Sequence, residues 1–163
     1  MAGDLWIITG EIGTGKTRWC QQFLDLARQA GWDVAGLISP AVFENGQKTA
    51  IDAVDVRSGE RRRLATRRSV KDAALIHTRE WLFETDTVGW GNAVFRRALP
   101  CDLLIVDEMG PLELLQGQGW VNALEAIATR AYRLAVVVVR PSLLSIAEQW
   151  QPQAVITLRN AIQ

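Results

Sequence analysis

Apolar positions along this chain fall into two patterns, short continuous runs and stripes of helical spacing. Leu5-Trp6-Ile7-Ile8-Thr9 is a run that reads as a short buried strand ending at Gly10. From Lys16 to Ala30, Trp19, Phe23, Ala27 and Ala30 recur at helical spacing, flanked by Cys20 and Leu24, and Gly31 follows as a stop. Val34 to Ser39 reads as the next strand, so the first forty residues predict a βαβ unit. The middle changes character. Asn45-Gly46 and Ser58-Gly59 are turn signals between the strand-like runs Ala41–Phe43, Ala50–Val56 and Arg61–Ala65, which predict a small antiparallel meander. A helix is expected from about Asp86 to Leu99, with Trp90, Val94 and Ala98 on one stripe and Pro100 ending it.

Leu103-Leu104-Ile105-Val106 has no alternation, as expected of a strand buried on both faces, and it ends in Asp107-Glu108. Trp120, Leu124, Ile127 and Ala131 form another helical stripe, and Leu134 to Val139 another buried strand. Ser142 is placed to N-cap a helix carrying Leu143, Ile146, Ala147 and Trp150. Val155 to Leu158 gives a last strand at the sheet edge. Alternating strands and helices imply an α/β fold, a mostly parallel sheet flanked by helices, with the meander after the first βαβ unit. No linker or repeat divides the chain, so residues 1–163 are expected to form one domain with a hairpin-rich insertion over 41–65.

The loop between the first strand and helix carries the chemistry. Gly10-Glu11-Ile12-Gly13-Thr14-Gly15-Lys16-Thr17 fits G-x-x-x-x-G-K-S/T, and it follows a strand and opens a helix, as that motif requires. Gly10, Gly13 and Gly15 can take positive φ and let backbone N–H groups close around phosphate oxygens. The helix offers its positive end to the same anion. Lys16 can reach between β- and γ-phosphates, and Thr17 offers a hydroxyl to Mg²⁺. The expected ligand is a nucleoside triphosphate with Mg²⁺.

The buried run before Asp107 supplies the second half of such a site, because ligands of parallel sheets bind at the C-terminal ends of strands. Asp107 is expected to hold Mg²⁺ through water, and Glu108 to orient and deprotonate a water attacking the γ-phosphate. The competing reading of Glu108 is a surface charge or turn cap. Asp107-Glu108-Met109-Gly110 also fits D-x-x-G, in which the glycine N–H meets the γ-phosphate. The guanine-reading N-K-x-D is absent, which argues against a dedicated regulatory GTPase. Arg140 follows the next buried strand and should emerge at the ligand edge, where it could sense the γ-phosphate; the alternative is an extended residue held by Pro141.

Composition narrows the partners. Apolar residues make up 48% and charged residues 22% of the 163, as in ordinary globular chains. Formal net charge is zero, against nucleic acid or an anionic membrane as the main partner. The two cysteines, Cys20 and Cys101, show no metal or disulfide spacing. The longest apolar run is far short of a membrane helix, and Met1 leads into a strand without a secretory n-region, so a cytoplasmic location is expected.

The loop Gly10–Thr17, the run Leu103 to Leu114 with its Asp-Glu-x-Gly-x-x-Glu-Leu string, the preceding Gly91-Asn92-Ala93 and the turn-rich segment Gly36–Gly59 together resemble the THEP1-type nucleoside triphosphatases. The resemblance covers nearly the whole chain. It implies a RecA-like P-loop fold and Mg²⁺-dependent hydrolysis of several nucleoside triphosphates to diphosphate and phosphate. Two positions depart from the pattern: Ile12 stands where members commonly carry Pro, and Arg18 where a second Thr is common. Neither removes a ligand atom.

Two other functions compete with a hydrolase. A kinase would use the basic cluster Arg57, Arg61, Arg62, Arg63, Arg67 and Arg68 as a lid. A slow nucleotide switch would instead dock to a protein partner. The bland reading of the arginines is a solvated hairpin face; the region Arg57–Arg68 is expected to matter for rate or partner choice but little for folding. His77, the only histidine, has no catalytic neighbours in sequence. Most of the seven tryptophans, Trp6, Trp81 and Trp120 among them, are expected in the core. One could stack on a base, and the sequence does not choose which.

Overall fold

A computed structural model describes residues 2–67 and 81–160. Arg68 and His77 lie outside the described residues. The first strand, β1 (Asp4–Thr9), leads through the loop into α1 (Lys16–Gln29), then β2 (Val34–Ile38). The meander follows as β3 (Ala41–Glu44), β4 (Gln47–Asp55) and β5 (Arg61–Arg67), with β6 (Trp81–Phe83) after it. Then come α2 (Thr85–Arg96), β7 (Cys101–Met109), α3 (Pro111–Leu114), α4 (Val121–Thr129), β8 (Tyr132–Val139), α5 (Leu144–Ala147) and β9 (Ala154–Thr157).

These strands form one mixed sheet in the order β6-β5-β4-β2-β7-β8-β1-β9, with β3 paired to β4. The five strands β2, β7, β8, β1 and β9 run parallel, and the meander joins β2 antiparallel through β4. The expected α/β class, the meander and the edge position of the last strand are all present. The reason β7 shows no alternation is visible in its neighbours. Leu103 and Ile105 pack with Cys20, Leu24 and Ala27 of α1 on one face. Leu104 and Val106 pack with Val94, Phe95, Ala123 and Ile127 of α2 and α4 on the other. Both faces are dry, so both must be apolar.

Several boundaries differ from expectation, each for a local reason. Trp120 caps α4 from outside, and the helix stops before Ala131 because Arg130 turns left-handed (φ 57°). Ser142 is not an N-cap: it sits inside a 3₁₀ turn over Pro141–Leu143, and α5 starts only at Leu144. α2 ends at Arg96, before Pro100 can act. The strand β6 was not read from the sequence, because three residues are too few to show a period.

The meander continues past the end of β2. The last rung is Ile38 opposite Val54, while β4 runs on from Ala53 back to Gln47 beyond the parallel strands' C-terminal edge. Arg57, Arg61 and Arg63 are bonded within the fold. Arg57 donates to both Asp33 carboxylate oxygens and to the carbonyls of Arg97 and Ala98. Arg61 and Arg63 lie on β5 and donate to the two oxygens of Asp52, at 2.8 and 2.7 Å. Asp52 is buried, so Arg61 and Arg63 are its counter-ions, which bears on the expectation that the cluster matters little for folding.

Candidate active site

α1 begins with nothing of its own to satisfy its N-terminus. Its N-cap is Gly15 in left-handed conformation (φ 86°), which makes no side-chain cap, and the first turn holds no acid. The first helical bond runs from Trp19 N–H to Gly15 O, so the N–H groups of Lys16, Thr17 and Arg18 precede any helical partner. That leaves a row of donors and the positive end of a 14-residue helix facing the loop. Gly13 (φ 81°) and Gly15 use the positive φ expected of them. Gly10 does not. It is glycine for space: a Cβ there would stand 2.6 Å from Thr14 Oγ1 and 2.7 Å from the carbonyl of Leu158.

The rest of the loop is held by itself. Thr14 donates through its hydroxyl and its N–H to Glu11 O. Lys16 Nζ donates to the carbonyls of Gly10 (2.6 Å) and Glu11 (3.1 Å), so its ammonium stays folded over the loop with a third proton to give. Ile12 is 91% exposed at the loop tip, where it packs on nothing that the absent proline would have changed.

Thr17 and Asp107 meet, although 90 positions separate them. Thr17 Oγ1 donates to Asp107 Oδ2 at 2.7 Å, and Ser39 N–H donates to the same oxygen at 3.0 Å. Asp107 is fully buried, and its Oδ1 has no hydrogen-bond partner among the described residues. Burial, then the charge of neighbouring Glu108, pushes its carboxyl up to about 7, against the bonds from Ser39 and Thr17 and the charge of Lys16. A buried carboxylate with a free oxygen is costly unless a cation or donor completes it. The Thr17 proton is spent on Asp107, which turns the hydroxyl lone pairs outward. An oxygen of Thr17 and an oxygen of Asp107 so arranged suit Mg²⁺, a hard cation that takes oxygen ligands and keeps waters.

Glu108 is exposed beside buried Asp107, at a bulge where β7 breaks register with β8. Its φ of 65° is unusual for a non-glycine residue, and such strain clusters at functional sites. Gly110 departs from expectation: its N–H donates to Glu113 Oε1 at 3.0 Å, and the residue is buried, so it is not a phosphate donor in this structure. Glu113 also accepts from Trp120 N–H at 3.0 Å and thereby ties the turn after β7 to the start of α4. Arg140 emerges exposed just after β8, one residue past Val139, which pairs with Met109, and its guanidinium reaches to 3.9 Å from where a Gly110 Cβ would be. Among the described residues it makes no ion pair.

Sequence reasoning missed Ser39 and Glu113 as parts of this site. Ser39 acts through its backbone N–H, which has no sequence signature; its place at the end of β2, beside Pro40, was the available hint. Glu113 stands three residues after Gly110, the spacing at which a carboxylate can reach back to an N-cap N–H.

A sheet with this order, a helix opened by an uncapped glycine loop, and an acidic strand end beside it define a P-loop nucleotide-binding protein. Comparison with known proteins narrows the class. The family model described as NTPase matches residues 6–160. The nucleoside-triphosphatase THEP1 of Methanopyrus kandleri is 29% identical over 133 residues, covering 82% of this chain and 71% of that one. That of Methanosarcina acetivorans is 30% identical over 122 residues, 74% of this chain and 67% of its own. In fold, a human cancer-related nucleoside triphosphatase solved in solution superposes with a TM-score of 0.71 at 19% identity, over 99% of this chain and 90% of that one. The crystal structure of THEP1 from Aquifex aeolicus gives 0.68 at 16%, over 94% and 89%. The chain belongs to the NTPase family, that of the THEP1-type nucleoside triphosphatases.

Proposed function

We propose that this protein hydrolyses nucleoside triphosphates, with Mg²⁺, to diphosphate and phosphate, and accepts several bases. The observation that carries this reading is the buried, half-satisfied Asp107 carboxylate bonded to Thr17 at the mouth of an uncapped phosphate loop. The loop N–H groups and Lys16 hold the phosphates. Thr17 and Asp107 would hold Mg²⁺, which when bound neutralises charge on the β- and γ-phosphates. Glu108 takes a proton from the attacking water, and Arg140 is placed at the same edge to meet charge on the γ-phosphate. The relatives' names, nucleoside-triphosphatase THEP1, support the same activity. A cytoplasmic location belongs to the same reading, on the sequence grounds given above.

The test is phosphate release from ATP, GTP, CTP and UTP with Mg²⁺ and no added acceptor. Release from all four is expected, with preferences below about a thousandfold in kcat/KM, because the sequence carries no guanine-reading N-K-x-D. Binding without release would favour a kinase or a switch over a hydrolase.

A further inference from the structure

Glu108 keeps a left-handed backbone, φ 65°, which a residue with a side chain holds only where its neighbours over-determine it. On its N-terminal side the fixing is plain, because Asp107 is buried and bonded by Ser39 and Thr17. On its C-terminal side Met109 is buried and paired with Val139, and the next residue, Gly110, gives its N–H to Glu113. We infer that Glu113 is the positioning residue for Glu108: its buried carboxylate pins the turn after β7 and so holds Glu108 where it can take the proton of the attacking water. This role rests on the reading of Glu108 as the base given above.

Two features set Glu113 apart from an ordinary helix cap. A cap needs one oxygen, and Glu113 uses both: Oε1 accepts from Gly110 N–H and Oε2 from Trp120 N–H, each at 3.0 Å. The second bond leaves α3 for the start of α4, and that far end is itself fixed. Trp120 is buried, with its ring edge-on to Phe95 of α2 at 5.8 Å between centroids. Asn92 of α2 donates to Gly119 O at 2.9 Å and accepts from Asn122 N–H at 3.0 Å. The segment between closes on itself, through Leu114 N–H to Gly110 O and Gln118 N–H to Leu112 O. Glu113 thus joins the α2–α4 pair to the residue two places after Glu108, by bonds of the short, charge-assisted kind. Its carboxylate has one seat: Gly119 lies against it at φ 71°, and a Cβ there would collide with Oε2. The phosphate loop takes no part in these contacts, since Lys16 bonds to Gly10 and Glu11 and Thr17 to Asp107. Losing Glu113 should therefore slow the chemical step and spare nucleotide binding.

The experiment is a double-variant cycle on single-turnover ATP hydrolysis with Mg²⁺, beside titration with the β,γ-imido analogue of ATP. Glu113→Gln keeps the size but turns one acceptor into a donor that faces an N–H group. In the parent it should slow hydrolysis about 10- to 100-fold, the reach of a misplacement of about 1 Å, with analogue affinity within about threefold. In a Glu108→Gln background the same change should slow hydrolysis less than about twofold, because nothing is left to position. Gly119→Ala displaces the carboxylate without removing it; it should repeat both results, and it carries the cycle if Glu113→Gln does not fold. Equal slowing in both backgrounds, an unchanged parent rate, or a loss of affinity as large as the loss of rate overturns the positioning role and leaves the hydrolase reading standing. Hydrolysis at the parent rate in Glu108→Gln alone overturns the reading of Glu108 as the base, and the positioning role with it.

Discussion

Replacing Arg61 and Arg63 together by alanine should destabilise the protein through a single buried carboxylate. Asp52 is 8% exposed and its oxygens are shared between those two guanidinium groups. Burial alone would raise its pKa, but the hydrogen bonds from Arg61 and Arg63 outweigh that and hold it below its ordinary value. Stripping the partners from a fully buried ion pair costs about 3–5 kcal/mol. Here the arginine side chains are 52% and 46% exposed, so water and salt screen the pair and the figure drops to about 1–3 kcal/mol. For a chain of this size that lowers the melting temperature by roughly 5 °C. Adding Asp52→Asn to the double variant removes the stranded charge and should recover most of the loss. The sign with pH follows from the lowered pKa: the contribution is present above the ordinary carboxylate pKa and is lost as pH falls through the folded value. The gap between parent and double variant should therefore close toward pH 3. Thermal melts by circular dichroism of the parent, the double and the triple variant, at pH 7 and at low pH, test this. A double variant that melts within about 1 °C of the parent at pH 7, or an Asp52→Asn change that recovers nothing, would refute the reasoning.

Lys16→Ala should cost triphosphate affinity about 100-fold, since a charge-assisted contact to phosphate is worth a few kcal/mol, while the melting temperature of the free protein holds; calorimetric titration measures it. Gly10→Ala forces Thr14 and the Leu158 carbonyl apart, so titration should show affinity falling at least about 10-fold, with the loop displaced and the parallel strands unmoved. Asp107→Asn keeps an acceptor for Thr17 and Ser39 but removes the charge, so the Mg²⁺ concentration for half-maximal hydrolysis should rise about 10-fold or more.

The parts of this molecule legible in the sequence are those where one local pattern suffices. The phosphate loop is a fixed string, and β7 announces itself by having no polar alternation. What the sequence hides is anything that depends on which elements become neighbours. Arg61 and Arg63 look like a free charge run until the β4–β5 register sets them beside Asp52. Gly110 looks like a phosphate donor until Glu113 folds back onto its N–H. Ser39 serves Asp107 only because β2 lies next to β7.

The enzymatic account stands on Glu108. It is exposed where neighbouring Asp107 is buried, on a strained backbone at the end of the Asp107 strand. Glu108→Gln keeps the size and one acceptor oxygen but removes the basic one, while the loop, Lys16, Thr17 and Asp107 stay as they are. Nucleotide affinity and single-turnover hydrolysis measured on the same Glu108→Gln preparation should separate: affinity within about threefold of the parent, and hydrolysis slower by roughly 10²–10⁴. Hydrolysis at the parent rate would show that Glu108 is a surface carboxylate and that the water is activated elsewhere.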